Sequence, residues 1–351
     1  MRRILCPYAT AGVVLIGAGL IGVTPVAAPL PDVQVRNVAL ASDTDSLGPW
    51  QEVFNTASQN ATTLLNNYFS APSVALQQVV ANQAGFAQQL LDDPTSISNV
   101  MVQLQDNLAA AWTGYGLQGA SDDTRDTVLA HTLECSGCLA SGHAVLFGEI
   151  PGYIPADEQA AALPIINFLA SPASGIIMGE LGPLISPWVA LFNSLGDGDN
   201  ANQVLANMVG AFFNGATLNL DSLIPTINGA GLFPPGMSMV NLDIGFGGLL
   251  SPGSVGLPAG GDSVGGSIFN SVGIDFTGVP SVGNLDAPSE PVGPIGALEG
   301  WAQAIADLLG WSGSGSPLAD VTLPVIPDDG GAAASLAADV PTWWQDLVAA
   351  L

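Results

Sequence analysis

The chain has 351 residues, no lysine, four arginines and a formal net charge of −26. So few cations leave nothing to neutralise phosphates, which excludes a nucleic-acid binder and disfavours anionic lipid headgroups as partners. Charged residues are nonetheless only 10% of the chain and mean hydropathy is +0.43, too apolar for a disordered acidic tail.

Arg2 and Arg3 precede an uncharged apolar run from Ala9 to Val23. At about fifteen residues that run is short for a membrane span and suits the apolar region of an export signal. Small residues at Val26-Ala27-Ala28 and at Ala39-Leu40-Ala41 offer two cleavage sites, and the paired arginines leave the twin-arginine route open. The expectation is a leader within residues 1–41 and an exported protein.

Residues 42–227 read as helical. Trp50, Val53, Phe54, Ala57, Ala61, Leu64, Leu65 and Tyr68 recur at three- and four-residue spacing. A second stripe follows Pro72, with Leu76, Val79, Val80, Phe86, Leu90 and Leu91. A third, with Ile97, Val100, Met101, Leu104, Leu108 and Trp112, opens on Asp93 as cap and Pro94 at its first position. Ser121 caps a short helix through Val128 and Leu129. These stripes are expected to be core, which predicts a helical bundle.

Residues 159–196 are strongly apolar, with Glu180 as their only charge and prolines at 164, 172, 183 and 187. An interior proline removes a backbone hydrogen bond, so the spacing predicts short helices that pack together, lie at an interface or re-enter a membrane, with a buried helical hairpin in a soluble core as the equal alternative. From 228 to 294 the chain turns rich in glycine and proline. Val240, Leu242, Ile244 and Phe246 alternate with polar residues, as do Val272, Ile274 and Phe276, and Leu218 with Leu220 hints at a third strand. Residues 295–351 return to helix, with one stripe on Leu298, Trp301, Ile305 and Leu308 and another on Trp343, Trp344, Leu347 and Leu351. The fold class expected is mainly α: an N-terminal bundle, proline-interrupted apolar helices, a Gly/Pro-rich segment holding a few short strands, and C-terminal helices.

Three motifs invite chemistry. HTLECSGCLASGH, residues 131–143, brings His131, Cys135, Cys138 and His143 together. A Cys135–Cys138 disulfide suits an oxidising compartment, although its small loop adds little stability. Unpaired thiols and a metal set of His131, Cys135, Cys138 and His143 remain alternatives, the metal set handicapped by Gly137, Gly142 and the short spacing. Gly261-Asp262-Ser263-Val264-Gly265 matches a nucleophile elbow in letters alone, since its flanks are glycine-rich and both histidines lie upstream. GDGDN at 196–200 starts like a calcium loop but lacks the later ligand and the glycine. No enzyme and no cofactor are expected.

Several long strings carry a resemblance: PYATAGVVLIGAGLIGVTPVAAPLPDVQVRNVAL near the N-terminus, SPASGIIMGELGPLISPWVALFNS at 171–194, NMVGAFFNGATLNLDSLIPTINGAGLFPPG at 207–236, then PVGPIGAL and GWSGSGSPLA. Together they resemble the GjpA-like outer-membrane porin family of mycolic-acid actinobacteria. The resemblance implies an exported, envelope-associated protein, a membrane or cell-envelope partner, and a channel in the mycolate outer membrane. It brings no catalytic residues. Strands of about seven residues, too few for a barrel, would need an oligomer donating a hairpin per subunit. Under that reading Glu180, Asp197, Asp199, Asp221, Asp243, Asp262 and Asp275, the few charges of the apolar centre, are the candidate pore-lining set and would favour cations. The alternative is a secreted, non-catalytic helical cell-wall protein without a pore.

Overall fold

The computed structural model describes residues 44–134, 142–256, 264–280, 283–319 and 321. In chain order its helices are α1 (Thr44–Ser70), α2 (Val74–Asp92), α3 (Ile97–Gly116), α4 (Asp122–Leu129), α5 (His143–Tyr153), α6 (Gln159–Leu169), α7 (Pro172–Asp197), α8 (Ala201–Asn214), α9 (Ile224–Gly229) and α10 (Pro294–Leu308). The strands are β1 (Ala216–Asn219), β2 (Ser238–Phe246), β3 (Val272–Val279) and β4 (Gly283–Ala287). The fold is mainly α with one small antiparallel sheet. Two compact units divide it: one draws on Ala71–Ala109 and the chain from Leu309, the other on residues 44–70 and Ala110–Leu308.

In the first unit, a single turn of 3-10 helix at Pro94–Ser96 leads into α3. The Asp93 carboxylate accepts from the Thr95 N–H at 2.9 Å and from its hydroxyl at 2.7 Å, while Pro94 fills the position where no N–H is needed. The Leu309 carbonyl accepts from Asn82 Nδ2 at 2.8 Å, which ties the returning chain to α2.

The second unit holds the sheet, in the order β1-β2-β3-β4. The predicted strand cores both form, and β1 forms where Leu218 hinted at it. Ile274 stands opposite Leu242 and Ala287, whereas Asp275 stands opposite Asn241 and Asp286. Side chains alternate along a strand, so one face is apolar and the other carries Asn219, Asn241, Asp243, Asp275 and Asp286. The apolar face closes a core of Met239, Phe276, Val279, Leu285 and Ala287 on Leu146 of α5, flanked by Ile227 of α9. One residue of the predicted alternation departs. A bulge between Met239 and Asn241 leaves Val240 exposed, and Met239 takes its place in the core.

Two helical expectations are corrected. First, residues 172–197 form one continuous helix with Pro183 and Pro187 inside it. An interior proline costs about 3 kcal/mol or more in isolation, and here tertiary contacts offset it. Ser171 caps the helix, accepting from the Ser174 N–H, and Pro172 occupies the first turn. Gly175, Gly179 and Gly182 then lie directly on backbone of the Gly-rich segment. A Cβ at Gly175 would overlap the Gly266 carbonyl, one at Gly182 the Gly247 carbonyl, and one at Gly179 would stand 2.9 Å from Gly293 C. Ser186 Oγ donates to the Ala211 carbonyl at 2.7 Å, and Ser174 Oγ accepts from the Ile268 N–H at 3.1 Å. Second, the N-terminal stripes are not wholly core. Val53, Leu64, Val80 and Val100 are buried, but Phe54, Leu76 and Met101 are exposed and Trp112 is 81% exposed. Helical spacing shows that apolar residues share a face; it does not supply something to cover that face.

Candidate functional site

The histidines open the question of chemistry. His131 follows α4, and its Nε2 lies 2.8 Å from Asp307 Oδ2 on α10. His143 opens α5 and donates Nε2–H to the Val272 carbonyl at 2.8 Å. Both rings are buried, and each is committed to a different partner. Burial holds His143 below the usual imidazole range, against the opposing pull of the Val272 carbonyl and of Glu134, Asp243 and Asp275. A neutral ring fits its role as donor to a carbonyl. Cys135 and Cys138 lie outside the described residues, and no group of three or more His, Cys, Asp or Glu side chains among the described residues is arranged to hold a metal.

The other two motifs resolve into turns where they are described. Asp197 ends α7, Gly198 adopts the left-handed conformation at its C-cap (φ 77°), and Asn200 caps α8 reciprocally with Gln203. GDGDN is thus a helix-to-helix connection. Gly261, Asp262 and Ser263 lie outside the described residues, and Gly265 donates its N–H to the Pro252 carbonyl at 3.0 Å.

Of the acidic set, Asp221, Asp243 and Asp275 converge on the polar side of the sheet, whereas Glu180, Asp197 and Asp199 lie on α7 or just after it. Asp221 Oδ1 accepts from the Leu242 N–H at 2.9 Å and its Oδ2 from Asn219 Nδ2 at 2.9 Å, bonds that hold its carboxyl below the usual range. Asp243 stands over Gly273 and accepts from Asn241 Nδ2 at 3.0 Å. Asp275 Oδ1 accepts from the Ala287 N–H at 3.1 Å. Burial pushes Asp275 above the usual range, and Asp286, Asp243 and Asp221 add repulsion. Asp286 was missed by pattern reading because β4 is five residues with a single large apolar side chain, too short to show alternation. Arg125, the one basic residue apart from histidine among those described, is spent on Asp122 at 3.0 Å and Asp126 at 3.5 Å, within α4. Both outer edges of the sheet are engaged. The Thr217 carbonyl of β1 accepts from Asn193 Nδ2 at 3.0 Å, and the Asp286 carbonyl of β4 from the Gly142 N–H at 2.8 Å. Such contacts blunt an edge against adding another strand.

The outer side of α7 is the remaining feature. Ile177, Leu181, Leu184, Trp188, Phe192 and Leu195 follow one another at three- and four-residue spacing and are 45% to 67% exposed. Glu180 is exposed beside the same stripe. The neighbouring α6 and α8 expose Ile165 and Leu205. Among the described residues α7 is the one helix long and apolar enough to cross a membrane. The chain matches no family model, no curated protein and no solved structure.

Proposed function

We propose that this is an exported, non-catalytic cell-envelope protein that rests on a lipid layer through the outer face of α7. The observation that carries the reading is the six-residue apolar stripe from Ile177 to Leu195, opposite a face locked to the protein's own backbone. A helix held that way along its inner side is not surrounded by lipid, but its outer side can enter the interface. Six bulky side chains, each already partly shielded, would contribute on the order of 1 kcal/mol apiece on leaving water. The near absence of cations favours zwitterionic over anionic headgroups. Flotation with phosphatidylcholine vesicles tests this. The full chain should rise with the vesicles, and Leu184→Glu with Trp188→Glu should weaken partitioning at least tenfold. Partitioning that ignores both changes, or a chain that never floats, would refute the reading.

A cation-favouring channel is the second reading. It is supported by the family resemblance and by the gathering of Asp221, Asp243, Asp275 and Asp286 on the polar side of the sheet, with no counter-cation among the described residues. The four strands among the described residues do not close a barrel, which needs at least eight, so on this reading the channel is a homo-oligomer. Planar-bilayer recordings decide it. Conductance steps whose cation preference falls with Asp243→Asn and Asp275→Asn would support it, and silence would end it.

A further inference from the structure

A second uncovered apolar face runs along α3, and it is built differently from that of α7. Ile97, Met101, Leu104, Leu108, Ala111 and Tyr115 follow one another at alternating four- and three-residue steps. That is the spacing of a heptad seam, narrower than the stripe of an ordinary surface helix, and it suits a second helix rather than a broad surface. Met101, Leu108 and Tyr115 are 44% to 71% exposed, and Trp112, at the edge of the seam, is 81% exposed. The protein itself covers one flank only: Val100 is buried, and Gly114 lies against Leu308 and Val128. Ser98, Gln105 and Trp112 leave the other flank open.

Charge narrows the partner. In a chain of net charge −26, Asp106 is the one charged residue of α3. Counted along the heptad it falls at the position farthest from the seam, and it is exposed. A basic helix therefore finds no carboxylate along this seam to pair with. A second copy brings no like charge into it, because its own Asp106 also faces away. Trp, Tyr and Met are the side chains enriched where proteins pair. At roughly 150–250 Å² per large side chain, Met101, Leu108, Trp112 and Tyr115 expose about 400–600 Å². Two copies together would bury about 800–1,200 Å² before the flanks are counted, the size of a reversible rather than a permanent contact.

We propose that α3 is the interface of a reversible homodimer, in which two copies pack seam to seam about a two-fold axis with Leu108, midway between Met101 and Tyr115, at its centre. The proposal rests on neither the lipid reading nor the channel reading. Analytical ultracentrifugation of the full chain, without lipid or detergent, is the test. A monomer–dimer equilibrium in the micromolar range is expected. It should tighten at least threefold from low to physiological salt, because screening relieves the repulsion between two acidic copies. Leu108→Glu with Trp112→Glu should weaken it at least tenfold. Both side chains are exposed, so the variant folds, which circular dichroism verifies. The control puts the same charge on α7: Leu184→Glu with Trp188→Glu should change dimerisation less than threefold. A chain that stays monomeric up to about 100 µM would overturn the proposal, since a contact of this size holds at that concentration. So would a dimer that survives the α3 change, or one lost equally in the two double variants, which would mean general apolar stickiness.

Discussion

Replacing Gly182 with alanine tests whether the seam between α7 and the Gly-rich segment holds the second unit together. At an open helical position this change favours the helix by up to about 1 kcal/mol. At Gly182 the new Cβ would overlap the Gly247 carbonyl oxygen and lie 3.1 Å from Gly247 N and C. All three are backbone atoms, so no rotamer change relieves the clash and α7 must move outward. That movement strains the Ser186–Ala211 bond, at 2.7 Å one turn further along. Overpacking of this kind costs about 1–3 kcal/mol. After the propensity gain the expected net loss is up to about 2 kcal/mol, or a drop in Tm of up to about 8 °C for a unit of this size. Gly196 is the internal control, in the same helix with nothing within 4 Å of its added Cβ. There alanine should leave Tm unchanged or raise it by a few degrees, about 2–4 °C. Thermal unfolding of both variants by calorimetry or circular dichroism gives the sign directly. If both substitutions raise Tm alike, α7 does not lie on that backbone and the explanation of how it tolerates two internal prolines falls with it.

Asp307→Ala should cost about 2 kcal/mol, measured by urea denaturation, because it strands a His131 ring that is 4% exposed while Asp307 itself is 19% exposed. Arg125→Ala, which breaks exposed pairs with Asp122 and Asp126, should cost under about 1 kcal/mol; a reversed order would refute the assignment of the buried pair. Burial, reinforced by Glu134, pushes the Glu290 carboxyl up to about 7, from an ordinary value of 4.5. The folded state then holds a proton that the unfolded chain releases, so the contribution of this group to stability is fully present below about pH 4.5 and is lost as pH rises through about 7. Glu290→Gln should flatten that slope in denaturation midpoints taken from pH 4 to pH 8, and an unchanged slope would sink the argument.

Local signals carried the parts of the fold that depend on near neighbours. Ser121 accepts from the Thr124 N–H at 3.2 Å and Asp93 caps the turn before α3, because a cap needs only a short polar side chain two or three residues from the N–H it accepts. β2 and β3 were legible because a period of two depends on each strand alone. The polar face of the sheet was legible only in part. Asp221, Asp243 and Asp275 stood out as rare charges, but their convergence, and the addition of Asp286, came from strand pairing.

Tertiary structure decided the rest. Pro183 and Pro187 announce helix breaks to any reading of neighbours, yet α7 runs through both because Gly247, Gly266 and Gly293 arrive from far along the chain and press backbone against Gly182, Gly175 and Gly179. The same arrival sorts the apolar residues of α7. Met178, Val189 and Ala190 go inside, while Leu184, Trp188 and Phe192 are left facing out. A stripe of hydrophobic residues states which side of a helix is apolar; only the long-range packing of the chain determines which of those residues the protein covers itself and which it leaves exposed.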